Sequence, residues 1–260
     1  MLVTKAVILA GGRGTRLAEL TDVRPKPLVE IGGRPVLWHI LKLYAHHGVR
    51  EFVICLGYRG WQIRDYFLNY THHDADLCID MRSGRVERLG GQREDWKVWL
   101  VDTGEATQTG GRLRRVRHLL EREPYFHMTY GDGVGDVDIG ALTSFHAAHG
   151  RAATVTAVTP PGRFGALECD GDAVTGFREK PAGDGGTING GFFVLHPSVI
   201  DRIGGDETVW EQQPLGGLAA DGQLRAYRHA GFWQPMDTLR DRECLEQHWS
   251  SGRAPWKVWT

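Results

Sequence analysis

The stretch Lys5-Ala6-Val7-Ile8-Leu9-Ala10-Gly11-Gly12-Arg13-Gly14-Thr15-Arg16-Leu17 runs from an unbroken apolar segment straight into a glycine-rich turn. Residues 5–10 do not alternate polar and apolar, so they suit a strand covered on both faces, which is the rule in parallel sheets. Glycines placed directly after such a strand let consecutive backbone N–H groups approach and cradle a phosphate. Two familiar glycine loops fail on spacing. The dinucleotide fingerprint needs a small residue at the sixth position from Gly12, where Leu17 stands, and the nucleoside-triphosphatase loop needs a G-K-[ST] that is absent.

The segments that follow continue a strand–helix alternation. Val36, Leu37, Ile40, Leu41 and Tyr44 repeat at helical spacing, with Pro35 suited to the first turn and Gly48 to the cap. Residues 51–56 read as a second strand, and Ile63, Tyr66, Phe67 and Tyr70 as a second helix. Leu113, Val116, Leu119 and Leu120 predict a third helix leading to a strand at 125–130, and Ile139, Leu142 and Phe145 a fourth stopped by Gly150. This order predicts an α/β fold with a doubly wound, mostly parallel sheet whose ligands gather beyond the strands' carboxyl ends. After residue 150 the pattern is mixed. Strands are expected at 154–158 and 190–195, a hairpin turn at Asp170-Gly171-Asp172, and helix starts at Thr208/Glu211 and Thr238/Asp241. No linker separates the halves, so 1–260 reads as one domain, with a nucleotide-binding part to about 150 and a smaller C-terminal part from about 151. Charge-dense residues 82–97 predict a long loop or projecting hairpin.

Charges nearly cancel, 31 Lys+Arg against 32 Asp+Glu in 260 residues, so no global field draws the chain to nucleic acid or to an anionic membrane. The apolar start is far too short to span a bilayer and fits no signal peptide, which predicts a cytoplasmic protein. The scattered Cys55, Cys78, Cys169 and Cys244 contain no C-x-x-C pair and read as buried free thiols. The 12 histidines form no H-E-x-x-H and receive no chemistry.

Two lysines are pinned by prolines. Lys26 stands between Pro25 and Pro27, and Lys180 between Glu179 and Pro181; the prolines remove backbone freedom and preset each ammonium's direction. Asp132 follows an apolar strand between Gly131 and Gly133, and Asp237 precedes a helix start. Brought together near a triphosphate, the two carboxylates would hold Mg²⁺, a hard ion that prefers oxygen ligands. Arg163-Phe164-Gly165 and Ile188-Asn189-Gly190-Gly191 add polar groups and permissive backbone.

With these motifs the chain resembles the sugar-nucleotide pyrophosphorylase family: a strand and G-G-x-G-T-R-L at 9–17, R-P-K-P at 24–27, G-D-G at 131–133, E-K-P at 179–181 and a closing Asp237. The likeness extends over 101–113, 130–138, 156–164, 188–195, 232–241 and 254–259, and is strongest to members that use CTP and glucose 1-phosphate. It departs in two extra residues before the first strand and in Ala18. The resemblance implies a Rossmann-like nucleotidyltransferase fold and a reaction in which the sugar phosphate attacks the α-phosphorus of CTP, giving CDP-glucose and pyrophosphate. It places the nucleotide at Leu9, Ala10, Gly11, Gly12, Gly14, Thr15, Arg16 and Lys26, with Thr107, Gly110 and Gly111 near the base and Asp132 alongside. It assigns the sugar phosphate to Gly165, Glu179, Lys180 and Asn189, catalysis to Arg16, Lys26 and Lys180, and Mg²⁺ to Asp132 and Asp237. It further implies a homo-oligomer, with a hexamer as the assembly. Two readings compete: a related transferase using UTP, dTTP or another sugar phosphate, and a sugar-nucleotide binding module without turnover.

Overall fold

The computed structural model describes residues 3–17, 21–72, 75–91, 93–160, 166–170, 173–178 and 186–260. The side chains of Arg16, 166–170 and 177–178 lie outside that description. Among the described residues seven strands form the central sheet: β1 (Lys5–Leu9), β2 (Glu51–Leu56), β3 (Lys97–Asp102), β4 (Phe126–Tyr130), β5 (Ala153–Val158), β6 (Ile188–Leu195) and β7 (Leu224–His229), in the order β3-β2-β1-β4-β6-β5-β7. Every neighbouring pair is parallel except those made by β6, which runs antiparallel to β4 and β5. The mixed pattern expected after residue 150 is this reversed strand, and β4 pairing with β6 makes one sheet of both halves of the chain.

β1 is buried along its whole length because its two faces feed two cores. Ala6 and Ile8 join Phe52, Ile54 and Leu56 under α1 (Val36–His46), α4 (Ile139–His149) and α6 (Leu239–Ser250). Val7 and Leu9 join Val53 and Cys55 under α3 (Thr109–Arg115) and α5 (Gln213–Ala220). A further helix, α2 (Gly60–Asn69), buries Ile63 against the first core. The chain builds β2 and β3 on one side of β1, then returns to lay β4 on the other. That reversal opens a crevice beyond the carboxyl ends of β1 and β4, where ligands bind in such sheets.

Local signals explain most boundaries. Pro35 caps α1, and Gly48 at φ 92° turns the chain after it, a left-handed conformation that costs glycine little. Thr238 and Asp241 form the predicted capping box of α6, each side chain taking the other's backbone N–H. The same spacing misleads at Thr208 and Glu211. There the helix starts only at Gln213, Thr208 Oγ1 accepts from Gly205 N at 3.1 Å, and Glu211 points away into the crevice wall. The third helix is also shorter than predicted, giving way to a 3-10 turn at Arg117–Leu119. The charge-dense region resolves into a hairpin, Asp76–Asp80 paired with Arg85–Leu89, and the edge strand β3, which begins at Lys97. Asp170 and Ala173 end a second paired hairpin, whose turn residues 171–172 lie outside the described set. Cys55 is a buried free thiol, but Cys78 is exposed on the first hairpin and Cys244 half-buried, so the expectation of uniformly buried thiols is corrected for them. No described helix is long and apolar enough to cross a membrane.

His39 and His127 are fully buried. Burial pushes the His39 imidazole down to about 4 and that of His127 to about 3. Both are neutral in the folded chain, whereas the unfolded chain takes up protons below about 6.5. Stability is therefore complete above that pH and falls as the pH drops towards the folded values, by about 1.4 kcal/mol per pH unit for each histidine. Urea unfolding at pH 7.5 and pH 5 should show this loss, and His127→Asn should flatten it by one histidine's share; an unchanged slope would remove His127 from the acid response.

Candidate active site

The crevice at the β1/β4 reversal is a cleft of about 300 Å³. Its walls include Leu9, Ala10, Gly11, Gly12, Gly14, Thr15, Lys26, Thr107 and Asp132, all of them expected at the nucleotide, together with Gln108, Thr109, Arg112 and Tyr130. A larger cavity of about 650 Å³ lies beside Arg24, Glu30, Arg34 and Asp65. It lacks both the glycine turn and the paired aspartates, so the smaller cleft is the candidate site.

Pro25 and Pro27 set Lys26 in a tight 3-10 turn with its side chain buried. Its ammonium lies 2.7 Å from Asp132 Oδ2 and 2.7 Å from Asp237 Oδ1. The lysine is thus not aimed alone at a phosphate; it is shared by the two carboxylates assigned to the metal. Backbone pairing brings those carboxylates together. Gly133–Gly135 pairs antiparallel with Trp233–Pro235, and Met236 N donates to Asp132 O at 2.8 Å. Gly14, at φ 65°, packs on the lysine stem: a Cβ there would stand 3.1 Å from Lys26 Cβ.

Beneath the glycine turn lies a buried cation that sequence reasoning missed. Arg112, 4% exposed, donates from Nη1 to Leu56 O, Thr103 Oγ1 and Gly104 O, and from Nη2 to Gly11 O and Glu105 O, at 2.8–3.2 Å. Burial holds its pKa below the usual guanidinium value. Arg112 therefore ties the turn to the end of β2 and to the loop before α3. Gly11 and Gly57 are glycines because the guanidinium fills the space of their side chains, with Nη1 at 2.1 Å and 2.5 Å from the respective Cβ positions. Arg112 is buried whereas its neighbours Arg114 and Arg115 are exposed, and nothing in residue type separates the first from the others.

Gly110 and Gly111, expected near the base, do not line the cleft. Their N–H groups donate to Thr208 O, and side chains there would collide with Thr208 O at 2.7 Å and Asp206 O at 2.5 Å. They are small so that segment 206–211 can lie across the start of α3. Asn189 is exposed at the start of β6 and donates from Nδ2 to Tyr130 Oη at 3.3 Å, so it reaches the cleft through Tyr130, which lines it. Tyr130 in turn donates to Glu211 Oε1 at 2.5 Å. Burial and the Glu211 carboxylate push the Tyr130 pKa up, so the phenol keeps its proton. Gly165, Glu179 and Lys180 lie outside the described residues, as does the Arg16 side chain.

A family model described as nucleotidyl transferase matches residues 5–231. The chain belongs to the nucleotidyl transferase family. This nucleotidyltransferase is 57% identical over 255 residues to the glucose-1-phosphate cytidylyltransferase of Salmonella typhi, covering 98% of this chain and 99% of that one. It is 44% identical to the probable glucose-1-phosphate cytidylyltransferase of Bacillus subtilis, over 98% and 100% of the two chains. In fold it is similar to HddC of Yersinia pseudotuberculosis, at TM-score 0.69 and 22% identity over 95% of this chain and all of that one. A UDP-glucose pyrophosphorylase solved with UDP-glucose gives TM-score 0.66 at 16% identity, over 97% and 100%. These neighbours share the doubly wound, mostly parallel architecture.

The guanidinium under the turn makes a direct test. Gly11→Ala in this nucleotidyltransferase forces Arg112 off its acceptors and should cost more than about 2 kcal/mol in urea unfolding. Gly12→Ala, whose Cβ meets nothing within 4 Å, should change stability by less than about 0.5 kcal/mol. Equal effects at the two positions would show that Arg112 is not what excludes a side chain.

Proposed function

We propose that this chain condenses CTP with α-D-glucose 1-phosphate, releasing pyrophosphate and CDP-glucose. The carrying observation is one cleft, at the sheet's reversal point, that combines the glycine turn, the Lys26–Asp132–Asp237 cluster and the buried Arg112 cation. The full-length likeness to proteins named as glucose-1-phosphate cytidylyltransferases supports cytidine and glucose in particular. We read residues 1–150 as the nucleotide part and 151–260 as the sugar-phosphate part of a single cytoplasmic domain.

The chemistry asks for charge control rather than a nucleophilic side chain, because the attacking phosphate oxygen is already ionised. Two like unit charges 4 Å apart repel by about 4 kcal/mol at an effective dielectric near 20, and both reactants are anions. Arg112 brings fixed positive charge to the turn that would seat the triphosphate, with Arg16 and Lys180 as further cations in this proposal, while the charge of Lys26 is offset by its two aspartates. The cluster of one lysine and two aspartates carries a net charge of −1, so it would repel a triphosphate without another cation. Two carboxylates from separate segments, already converging on one cationic centre, suit Mg²⁺, which takes one or two carboxylates and completes its shell with substrate oxygens and water. When bound, the ion would neutralise phosphate charge and polarise the reacting phosphoryl group. Asn189, together with Glu179, would orient the sugar hydroxyls.

We also propose a homo-oligomer, with a hexamer as the assembly. Support comes from the first hairpin, whose register sets Leu77, Ile79 and Val86 on one face, each exposed. An isolated two-stranded ribbon of this kind is marginal in water without a partner surface.

Pyrophosphate release from purified protein with Mg²⁺, over a grid of nucleoside triphosphates and sugar 1-phosphates, should be greatest for CTP with glucose 1-phosphate. Preference for UTP or dTTP would reassign the substrate, and silence across the grid would favour a binding module. Lys26→Ala should lower turnover at least about a hundredfold, and Asp237→Asn should move the Mg²⁺ titration to higher concentration. Leu77→Lys with Ile79→Lys should reduce the mass measured by light scattering; an unaltered mass would free the hairpin of any role in assembly.

A further inference from the structure

Glu211 touches no expected substrate group, yet its half-buried carboxylate is held at both oxygens by hydroxyls of the cleft wall. Tyr130 Oη donates to Oε1 at 2.5 Å and Thr109 Oγ1 donates to Oε2 at 2.7 Å. Each hydroxyl also has a fixed second partner. Thr109 Oγ1 accepts from Trp210 N at 2.9 Å, and Tyr130 Oη accepts from Asn189 Nδ2 at 3.3 Å. Asn189 Oδ1 then accepts from Gly191 N at 2.8 Å.

The polarity of this chain follows from its end. An ionised carboxylate only accepts, so the phenolic proton of Tyr130 must point at Glu211. The phenolic oxygen is then left to accept, which calls for a donor from Asn189 and fixes which face of its amide is NH₂. With Oδ1 committed to Gly191, the second N–H of that amide is the one group of the side chain not taken by these contacts. The backbone is shaped to the same arrangement: Gly191 sits at φ 82°, and a Cβ there would lie 2.6 Å from the Tyr130 ring.

We infer that Glu211 is a positioning residue for the sugar 1-phosphate, setting the donor direction of Asn189 through Tyr130. This inference rests on the reading of Asn189 as a sugar contact. It also explains why a threonine and a glutamate at capping-box spacing start no helix at 208: the carboxylate that would cap it is held by Thr109 and Tyr130.

Steady-state kinetics of the full-length chain with CTP and glucose 1-phosphate tests it. Glu211→Leu should raise KM for the sugar phosphate about tenfold while KM for CTP moves less than threefold. Glu211→Gln, whose amide oxygen still accepts from the phenol, should return the sugar KM to within about threefold of the unaltered protein. Tyr130→Phe should match Glu211→Leu, and the double variant should exceed the stronger single by less than twofold, since both break one chain. Equal rises in both KM values, multiplication of the two effects, or no recovery with glutamine would each overturn the inference. If the unaltered protein prefers another substrate pair, the function reading fails alone, and the same variants are then measured with that pair.

Discussion

A buried ammonium needs partners, and the need is what draws distant parts of this chain to one point. Lys26 is 106 residues from Asp132 and 211 from Asp237, yet it lies within hydrogen-bond reach of both. Without the lysine the two converging carboxylates would face each other uncompensated, which costs several kcal/mol, so the contact selects the arrangement in which the N-terminal turn, the end of β4 and the segment before α6 meet. The prolines on either side of Lys26 reduce the entropy lost in holding it there. The short ladder between Gly133–Gly135 and Trp233–Pro235 supplies the complementary constraint from the acidic side.

Arg112 answers a second requirement of the same place. A turn rich in glycine has little side-chain packing of its own, and its carbonyls must find donors if its N–H groups are to face a ligand. One guanidinium, planar and always charged, satisfies carbonyls from the turn, from β2 and from the loop at 104–105 at once. Its hydrogen-bond partners here are carbonyls and one hydroxyl, not a carboxylate, so no ion pair ties up its positive charge at the turn. Stability and anion attraction thus come from one group, which is why the neighbouring Gly11 and Gly57 leave it room.

The parts legible in the sequence were those fixed by local chemistry. The apolar run 5–10, the proline and glycine ends of α1 and the Thr238/Asp241 box state their structure within a few residues. Lys26, Asp132 and Asp237 stand out by residue type and flanking backbone, and the structure brings them together, although their mutual ion pairing is not visible in the sequence. What stayed hidden depends on packing between distant segments. Gly110 and Gly111 look like ligand-facing glycines in a string, but they make room for the backbone of 206–208. Arg112 looks exposed until α3 docks on β1, and Glu211 looks like a helix cap until β4 supplies Tyr130.

Segment 206–211 shows how the second half of the chain governs the first. Its carbonyls take the N–H groups of Gln108, Gly110 and Gly111, and the Arg115–Asp206 ion pair ties it to the far end of the same helix. α3 therefore begins where this segment allows, and the positions of Thr107, Gln108 and Arg112 in the cleft follow from that start. An exposed ion pair contributes little alone, whereas the N–H groups of the buried Gly110 and Gly111 would each cost more if left unmade. The decisive coupling is accordingly the backbone one. A shift of this segment would move Thr107, Gln108 and Arg112 through α3 and the Tyr130–Asn189 contact through Glu211 in a single displacement, because both hang from the same six residues.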